Sequence, residues 1–155
     1  MRAIDLTSPM VVTTDEATDL AAAAKMMRDK GVGDLVITRG RDSKPIGIVT
    51  DRDIVVHAIG CGLDPASITV ADLCTRKPAT VGAEADLMDI ATAMNEHGVR
   101  RVLVIRGLEL VGIISMDDVI AAMSEMMNNL SAMLGRQLEY EREHLESIRL
   151  QDSAA

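Results

Sequence analysis

Two hydroxyl–aspartate pairs in this chain are spaced to handle a phosphorylated sugar. Thr50 is followed three residues on by Asp53, and Ser115 by Asp118. Each pair ends a short apolar run that opens with glycine: Gly47-Ile48-Val49-Thr50-Asp51-Arg52-Asp53-Ile54 and Gly112-Ile113-Ile114-Ser115-Met116-Asp117-Asp118-Val119. A hydroxyl at a strand end, just ahead of a helix, sits beside free backbone N–H groups and the positive end of the dipole, a setting suited to phosphate. An aspartate three residues later faces the same side one turn on, where its carboxylate can accept hydrogen bonds from a ribose diol. The same residues also make an ordinary helix start, with Thr50 and Ser115 as N-caps and Asp53 and Asp118 as first-turn acids. For one copy the two readings are level; two copies in register favour the ligand site.

The elements that must position these residues also come twice. The stretch from Thr13 through Asp19-Leu20 to Gly31-Val32 parallels Thr80 through Asp86-Leu87 to Gly98-Val99. In the first copy the pattern predicts a helix over 16–30, strands at 35–37 and 46–49 about a turn near Gly40, and a helix from Asp51 to about Ala58. In the second it predicts a strand over 79–81, a helix over 84–96, strands over 102–105 and 110–114, and a helix from Met116. The order is βαββα twice, an α+β plan and not a doubly wound sheet. Halves of this size are too small to bury a core alone, so they are expected to pack on each other pseudo-symmetrically, with the polar strand ends at the seam. The expected division is 1–66, 67–123 and a helical extension over 124–155.

That extension has a stripe of its own. Residues 119–149 contain no proline, and only Gly135 interrupts good helix formers. Met123, Met126, Leu130, Met133, Leu134 and Leu138 recur at three- and four-residue steps, a face that needs either its own domain or a twin helix to cover it. The dimer reading is the stronger of the two.

Composition narrows the function classes. The chain has 155 residues, no Phe or Trp, one Tyr and 11 Met, so its core is aliphatic and methionine fills the gaps. A formal charge of −8 argues against nucleic acid and against an anionic membrane. Cys61 and Cys74 are too few for a disulfide framework, no secretory signal is visible, and no apolar run reaches the ~20 residues of a membrane span. A cytoplasmic setting is expected. His57 and Cys61 lie four apart, with Cys74 and His97 elsewhere, which is a partial zinc set at best, since zinc takes about four ligands. No catalytic motif is present, so no catalytic residue and no metal ligand is assigned.

With the motif Gly-apolar-x-Thr/Ser-x-x-Asp present twice in register, the chain resembles a cystathionine-β-synthase (CBS) domain pair of the stand-alone kind, over residues 1 to about 123. The resemblance implies regulation rather than turnover, adenine nucleotides in two clefts between the motifs, and pairing into flat dimers. Carried over residue by residue, the contact scheme crosses between copies. One cleft would use Ser115 and Asp118 with the adenine-facing Thr7, Val12 and Val32; the other would use Thr50 and Asp53 with Cys74, Ala79 and Val99. Ile48 and Ile113 are where the family sandwiches the base, and backbone groups at Val12 and Ala79 could read its edge. Taken singly, these apolar residues would be ordinary β-core.

Arg101 matches the family's phosphate-binding arginine, and its first-copy counterpart is Asp34. Between hydroxyl and aspartate stand Arg52 in one copy and Asp117 in the other. Each cleft would then hold one arginine and one acid, which favours a mono- or diphosphate, or NAD, over ATP. The expectation is a non-catalytic regulatory protein with no required cofactor. It would bind AMP, ADP or NAD, form a homodimer or dimer of dimers, and signal to a protein partner. Two alternatives stay open: a metal or redox sensor through His57, Cys61 and Cys74, and an oligomerisation scaffold with non-functional clefts.

Overall fold

The structure is a computed structural model. It describes the backbone of residues 1–7, 10–40, 44–74 and 76–152, and side chains as far as residue 145. The chain divides into two compact units, Met1–Met116 and Asp117–Ala155.

In the first unit each repeat builds a three-stranded sheet. β1 (Thr13–Asp15) lies parallel to β2 (Asp34–Arg39), which pairs antiparallel with β3 (Lys44–Thr50). The second repeat copies this with β4 (Thr80–Gly82), β5 (Arg101–Arg106) and β6 (Glu109–Ser115). Even the irregularities match: one register shift falls between Ile37 and Thr38, the other between Val104 and Ile105.

The helices between the strands, α2 (Leu20–Lys30) and α5 (Leu87–His97), start four and three residues later than the pattern predicts. The acids ahead of them act as caps and not as first-turn residues. Asp19 accepts from the N–H of Ala22 at 2.7 Å, and Asp86 from Met88 and Asp89 at 2.9 Å, satisfying donors that have no partner inside the helix. Both helices end on a left-handed glycine, Gly31 at φ 66° and Gly98 at φ 61°, a conformation in which a Cβ would be strained. After β3 the chain takes one short helical turn, α3 (Asp51–Asp53), then widens to a π-turn over Ile54–Ala58 and tightens over Ile59–Cys61.

Two short helices escaped the pattern, α1 (Ala3–Leu6) and α4 (Val70–Leu73), because four residues are too few to show a period. Each docks on the other repeat. The N–H groups of Ala3 and Ile4 donate to the carbonyls of Ala85 (2.7 Å) and Ala83 (3.0 Å), at the entrance to α5. Those of Val70 and Ala71 donate to Thr18 (2.8 Å) and Glu16 (3.4 Å), at the entrance to α2. Val70 joins Leu20, Ala23, Leu35, Ile37, Val49 and Ile54 in the first core, so the halves are laced and not merely stacked. The paired glycines of the repeat make this docking possible. A Cβ on Gly47 would stand 1.8 Å from Cys74 Sγ, and one on Gly112 would stand 1.6 Å from Thr7 Oγ1. Thr7 and Cys74 follow α1 and α4 directly, so each glycine is the notch into which the opposite short helix is pressed.

The second unit is helical. α6 (Met116–Asp152) is a single helix of 37 residues that runs through Gly135, so the boundary expected at 124 falls inside a continuous element. Met126, Leu130, Met133, Leu134 and Leu138 stand half-exposed or more along it.

Candidate functional site

The site begins with the backbone register. Asp34 lies opposite Thr50 across β2 and β3, and Arg101 opposite Ser115 across β5 and β6. Strand-end pairs of this kind place the hydroxyl residue and its charged neighbour side by side at the same edge of each sheet.

Thr50 and Asp53 form a reciprocal cap. The Thr50 N–H (2.9 Å) and hydroxyl (2.7 Å) donate to Asp53 Oδ2, and the Asp53 N–H donates to Thr50 Oγ1 at 3.2 Å. The helix-start reading of this pair is therefore realised. It commits Oδ2, so a ribose hydroxyl would be met by Oδ1. Around the pair lies a hollow of about 210 Å³, lined by Ile48 from β3 and by Ala79 and Val99 from the second repeat. Four further cations line it: Arg76, Lys77, Arg100 and Arg101.

Arg101 departs from its expected place. Its strand neighbour is Ser115, yet its side chain lines the Thr50–Asp53 hollow, where Nε pairs with Asp34 Oδ2 at 2.7 Å. Arg101 and Asp34 are equivalent residues of the two repeats, so this half-buried ion pair joins the two sheets across the pseudo-twofold. The expected balance of one arginine and one acid per cleft does not hold: this hollow is strongly basic. Arg52 is exposed and absent from the lining, since the chain turns at α3 with its N–H on Asp51 Oδ1 at 2.7 Å. Arg76, Lys77 and Arg100 were missed; the signal was two basic pairs, Arg76-Lys77 and Arg100-Arg101, in an acidic chain.

Cys74, expected to face adenine here, is instead held in the notch at Gly47, with Sγ 3.9 Å from the Ile46 carbonyl. The equivalent Thr7 donates to the Ile113 carbonyl at 3.3 Å. Val12 and Val32 pack against the first core, and the carbonyls of Val12 and Ala79 accept sheet bonds from Val36 and Leu103 at 2.9 Å. These two carbonyls therefore already serve the sheets. Ile113 and Ser115 lie on β6 and Asp118 in the first turn of α6; the boundary between the two units falls between Ser115 and Asp118. His57 in the π-turn and Cys61 beyond it are exposed, and among the described residues no three His, Cys, Asp or Glu side chains are grouped to hold a metal ion. No helix among the described residues is long and apolar enough to cross a membrane.

Comparison with known proteins agrees with this architecture. The CBS domain profile matches residues 3–60 and 70–125, and the chain belongs to the CBS-domain family. It is 38% identical over 115 residues to Hypoxic response protein 1 of Mycobacterium tuberculosis, covering 74% of this chain and 80% of that one. The crystal structure of Hypoxic Response Protein I, with two coordinated zinc ions, superposes with a TM-score of 0.68 at 36% identity, over 78% of this chain and 98% of that one. A hexameric CBS-CP12 protein from bloom-forming cyanobacteria gives 0.71 at 30% identity, over 77% and 69%. A CBS domain protein from Pyrobaculum aerophilum complexed with AMP gives 0.68 at 28% identity, over 76% and 89%. CBS-domain proteins are generally regulatory ligand-binding modules.

Proposed function

We propose that this protein is a non-catalytic sensor of an adenosyl ligand of the AMP, ADP or NAD type. The observation that carries the reading is the Thr50–Asp53 hollow, which gathers four cations in a chain of net charge −8. Ile48, Ala79 and Val99 offer small apolar faces to a flat purine. Asp53 Oδ1 would accept from the ribose, and the Thr50 hydroxyl with the arginines would meet phosphate through charge-assisted hydrogen bonds. The AMP complex of the Pyrobaculum aerophilum relative supports this assignment. Ser115, with Thr7, Val12, Val32 and Ile113, would form the corresponding second cleft of the proposal.

A ligand that draws Arg101 toward phosphate weakens its hold on Asp34, so the two arrangements of the pair differ in affinity for ligand. Such a difference is what a signal to a protein partner requires. Assembly as a homodimer or dimer of dimers in the cytoplasm completes the proposal, supported by the exposed apolar stripe of α6 and by the hexameric relative. A metal-sensing reading draws on the zinc in the Hypoxic Response Protein I structure, but Cys74 is held at Gly47 while His57 and Cys61 stand exposed elsewhere.

Calorimetry with adenosine, AMP, ADP and NAD, beside a zinc titration, tests the reading. Asp53→Ala should weaken all four ligands by about 1.5–3 kcal/mol, the contribution of a hydrogen bond to a charged group. Arg101→Ala should weaken AMP but spare adenosine. Unchanged nucleotide affinity in both Asp53→Ala and Asp118→Ala refutes the site, and tight zinc binding without nucleotide binding replaces the reading with the metal sensor.

A further inference from the structure

We infer that a second hollow, beside the Thr50–Asp53 hollow, docks an acidic segment of the protein that this chain regulates, and that ligand in the first hollow weakens this hold through a wall the two share. The docking surface stands on its own chemistry; its control by ligand rests on the adenosyl reading. The second hollow lies at the end of β3 away from Thr50, where Lys44, Pro45 and Ile46 line it with Ala71 and Cys74 from the end of α4. Arg39 from β2 and Arg76 and Lys77 from the segment after α4 bring its cations to four. Arg39 pairs with Glu16, whereas Lys44, Arg76 and Lys77 have no carboxylate partner among the described residues. Like charges gathered without counter-ions repel one another, and an anionic partner relieves that repulsion.

The lining selects the kind of anion. Among the described residues it carries no carboxylate and no hydroxyl, so nothing in it accepts hydrogen bonds from a ribose diol. It offers no aromatic ring on which a base could stack; the chain has no Phe or Trp, and its one Tyr, Tyr140, lies on α6. A polynucleotide would also run off this patch onto a protein of net charge −8. Beside the cations the lining carries Pro45, Ile46, Ala71 and Pro78. Cations next to apolar side chains match a peptide in which carboxylates alternate with aliphatic residues. The carboxylates take charge-assisted hydrogen bonds from arginine and lysine, and the aliphatic groups gain by leaving water. At about 550 Å³ the hollow has room for a few such side chains.

The link to ligand is geometric. Arg76, Lys77 and Pro78 line both hollows. A phosphate that engages Arg76 and Lys77 from the first hollow takes two of the four cations from the second. Affinity for the acidic segment then falls, and by reciprocity the segment lowers affinity for the ligand by the same factor. A partner held without ligand and released with it would carry the ligand state outward, and no movement of the two repeats is needed for it.

The test is fluorescence anisotropy on the full chain, with a labelled peptide of glutamate pairs separated by single leucines. Its glutamine counterpart and a short oligothymidylate serve as comparisons, each with and without saturating AMP. The glutamate peptide should bind in the micromolar range, several-fold more weakly as salt rises from about 0.05 to 0.3 M, and the glutamine peptide far more weakly still. Lys44→Glu, at an exposed residue that lines the second hollow and not the first, should weaken the glutamate peptide by about tenfold and leave AMP affinity unchanged in calorimetry. Arg76→Ala should weaken both, and saturating AMP should weaken the peptide several-fold. Glutamate and glutamine peptides binding alike, or Lys44→Glu without effect on the glutamate peptide, overturns the inference, as does oligothymidylate binding more tightly than the peptide. AMP that binds yet leaves peptide affinity unchanged overturns the shared wall and the inference with it. Failure of AMP to bind, with the glutamate peptide still dependent on Lys44, overturns the adenosyl reading and supports the docking surface.

Discussion

Replacing Gly47 with alanine should unseat Cys74 and loosen the lacing of the two repeats. The new Cβ would stand 1.8 Å from Cys74 Sγ and 3.2 Å from Cys74 Cβ. Carbon atoms in contact rest about 3.5–4.0 Å apart, so the sulfur must retreat by roughly 2 Å, carrying the end of α4 with it or turning away from β3. Overpacking of this kind costs about 1–3 kcal/mol, or about 2–4 °C of melting temperature per kcal/mol in a chain of this length. Gly47 is not among the positive-φ glycines, so alanine there brings no backbone strain and a small gain of about 0.4–1 kcal/mol from the stiffer unfolded chain. Cys74→Ala alone should cost at most about 1 kcal/mol, since the thiol is a group the size of a methylene and only partly buried. It also removes the offending sulfur and leaves a contact that a shift of a few tenths of an ångström relieves. The double variant should therefore return to within about 1 kcal/mol of wild type, a coupling of about 1–3 kcal/mol between the two sites. Gly112 supplies the contrast: there the Thr7 Cβ itself lies 2.7 Å from the added carbon, so Thr7→Ala should rescue Gly112→Ala only in part. Urea unfolding followed by circular dichroism on the single and double variants reads these differences. Gly47→Ala as stable as wild type, or Cys74→Ala simply adding its own cost to it, refutes the reasoning.

Two further outcomes follow from other parts of the chain. The N–H (2.9 Å) and hydroxyl (2.8 Å) of Thr69 both donate to Asp72 Oδ2, and the backbone bond foremost holds that carboxyl below the usual aspartate range. A depressed folded value means this stabilisation is complete above the unfolded pKa of about 4 and is lost as pH falls through the lower folded value. Asp72→Ala, which removes the titrating carboxylate itself, should accordingly flatten the fall of melting temperature below about pH 4, and an identical profile in both proteins contradicts the assignment. Truncation after Ser124 removes the exposed Met126, Leu130, Met133 and Leu134. At about 25 cal/mol per Å² that stripe is costly to leave in water, so the cut should lower the oligomeric mass seen by light scattering, whereas truncation after Gln137 should not. A soluble chain of unchanged mass after the Ser124 cut shows that α6 is an appendage.

What could be read from the sequence was written in local spacing. The repeat, the βαββα order and the long final helix all follow from hydrogen bonds and apolar periods that close within a few residues. The Thr50–Asp53 cap belongs to the same class, because residues three apart at a helix start meet whatever the rest of the chain does. That Asp19 and Asp86 cap their helices was not legible, since the pattern locates a boundary only to within a few residues. Tertiary structure alone decided the crossing of α1 and α4 onto the opposite repeat, a matter of hydrogen bonds between residues as far apart as Ala3 and Ala85. It decided that Gly47 and Gly112 are notches and that Cys74 is a wedge rather than a wall of the nucleotide hollow. It also decided the electrostatics. Arg101 pairs with Asp34 of the other sheet, and Arg76 and Lys77 join Arg100 and Arg101 in lining the Thr50–Asp53 hollow. Local periodicity fixes which way a backbone runs, but a side chain on a strand end can choose between two sheets, and only their packing brings one partner within reach.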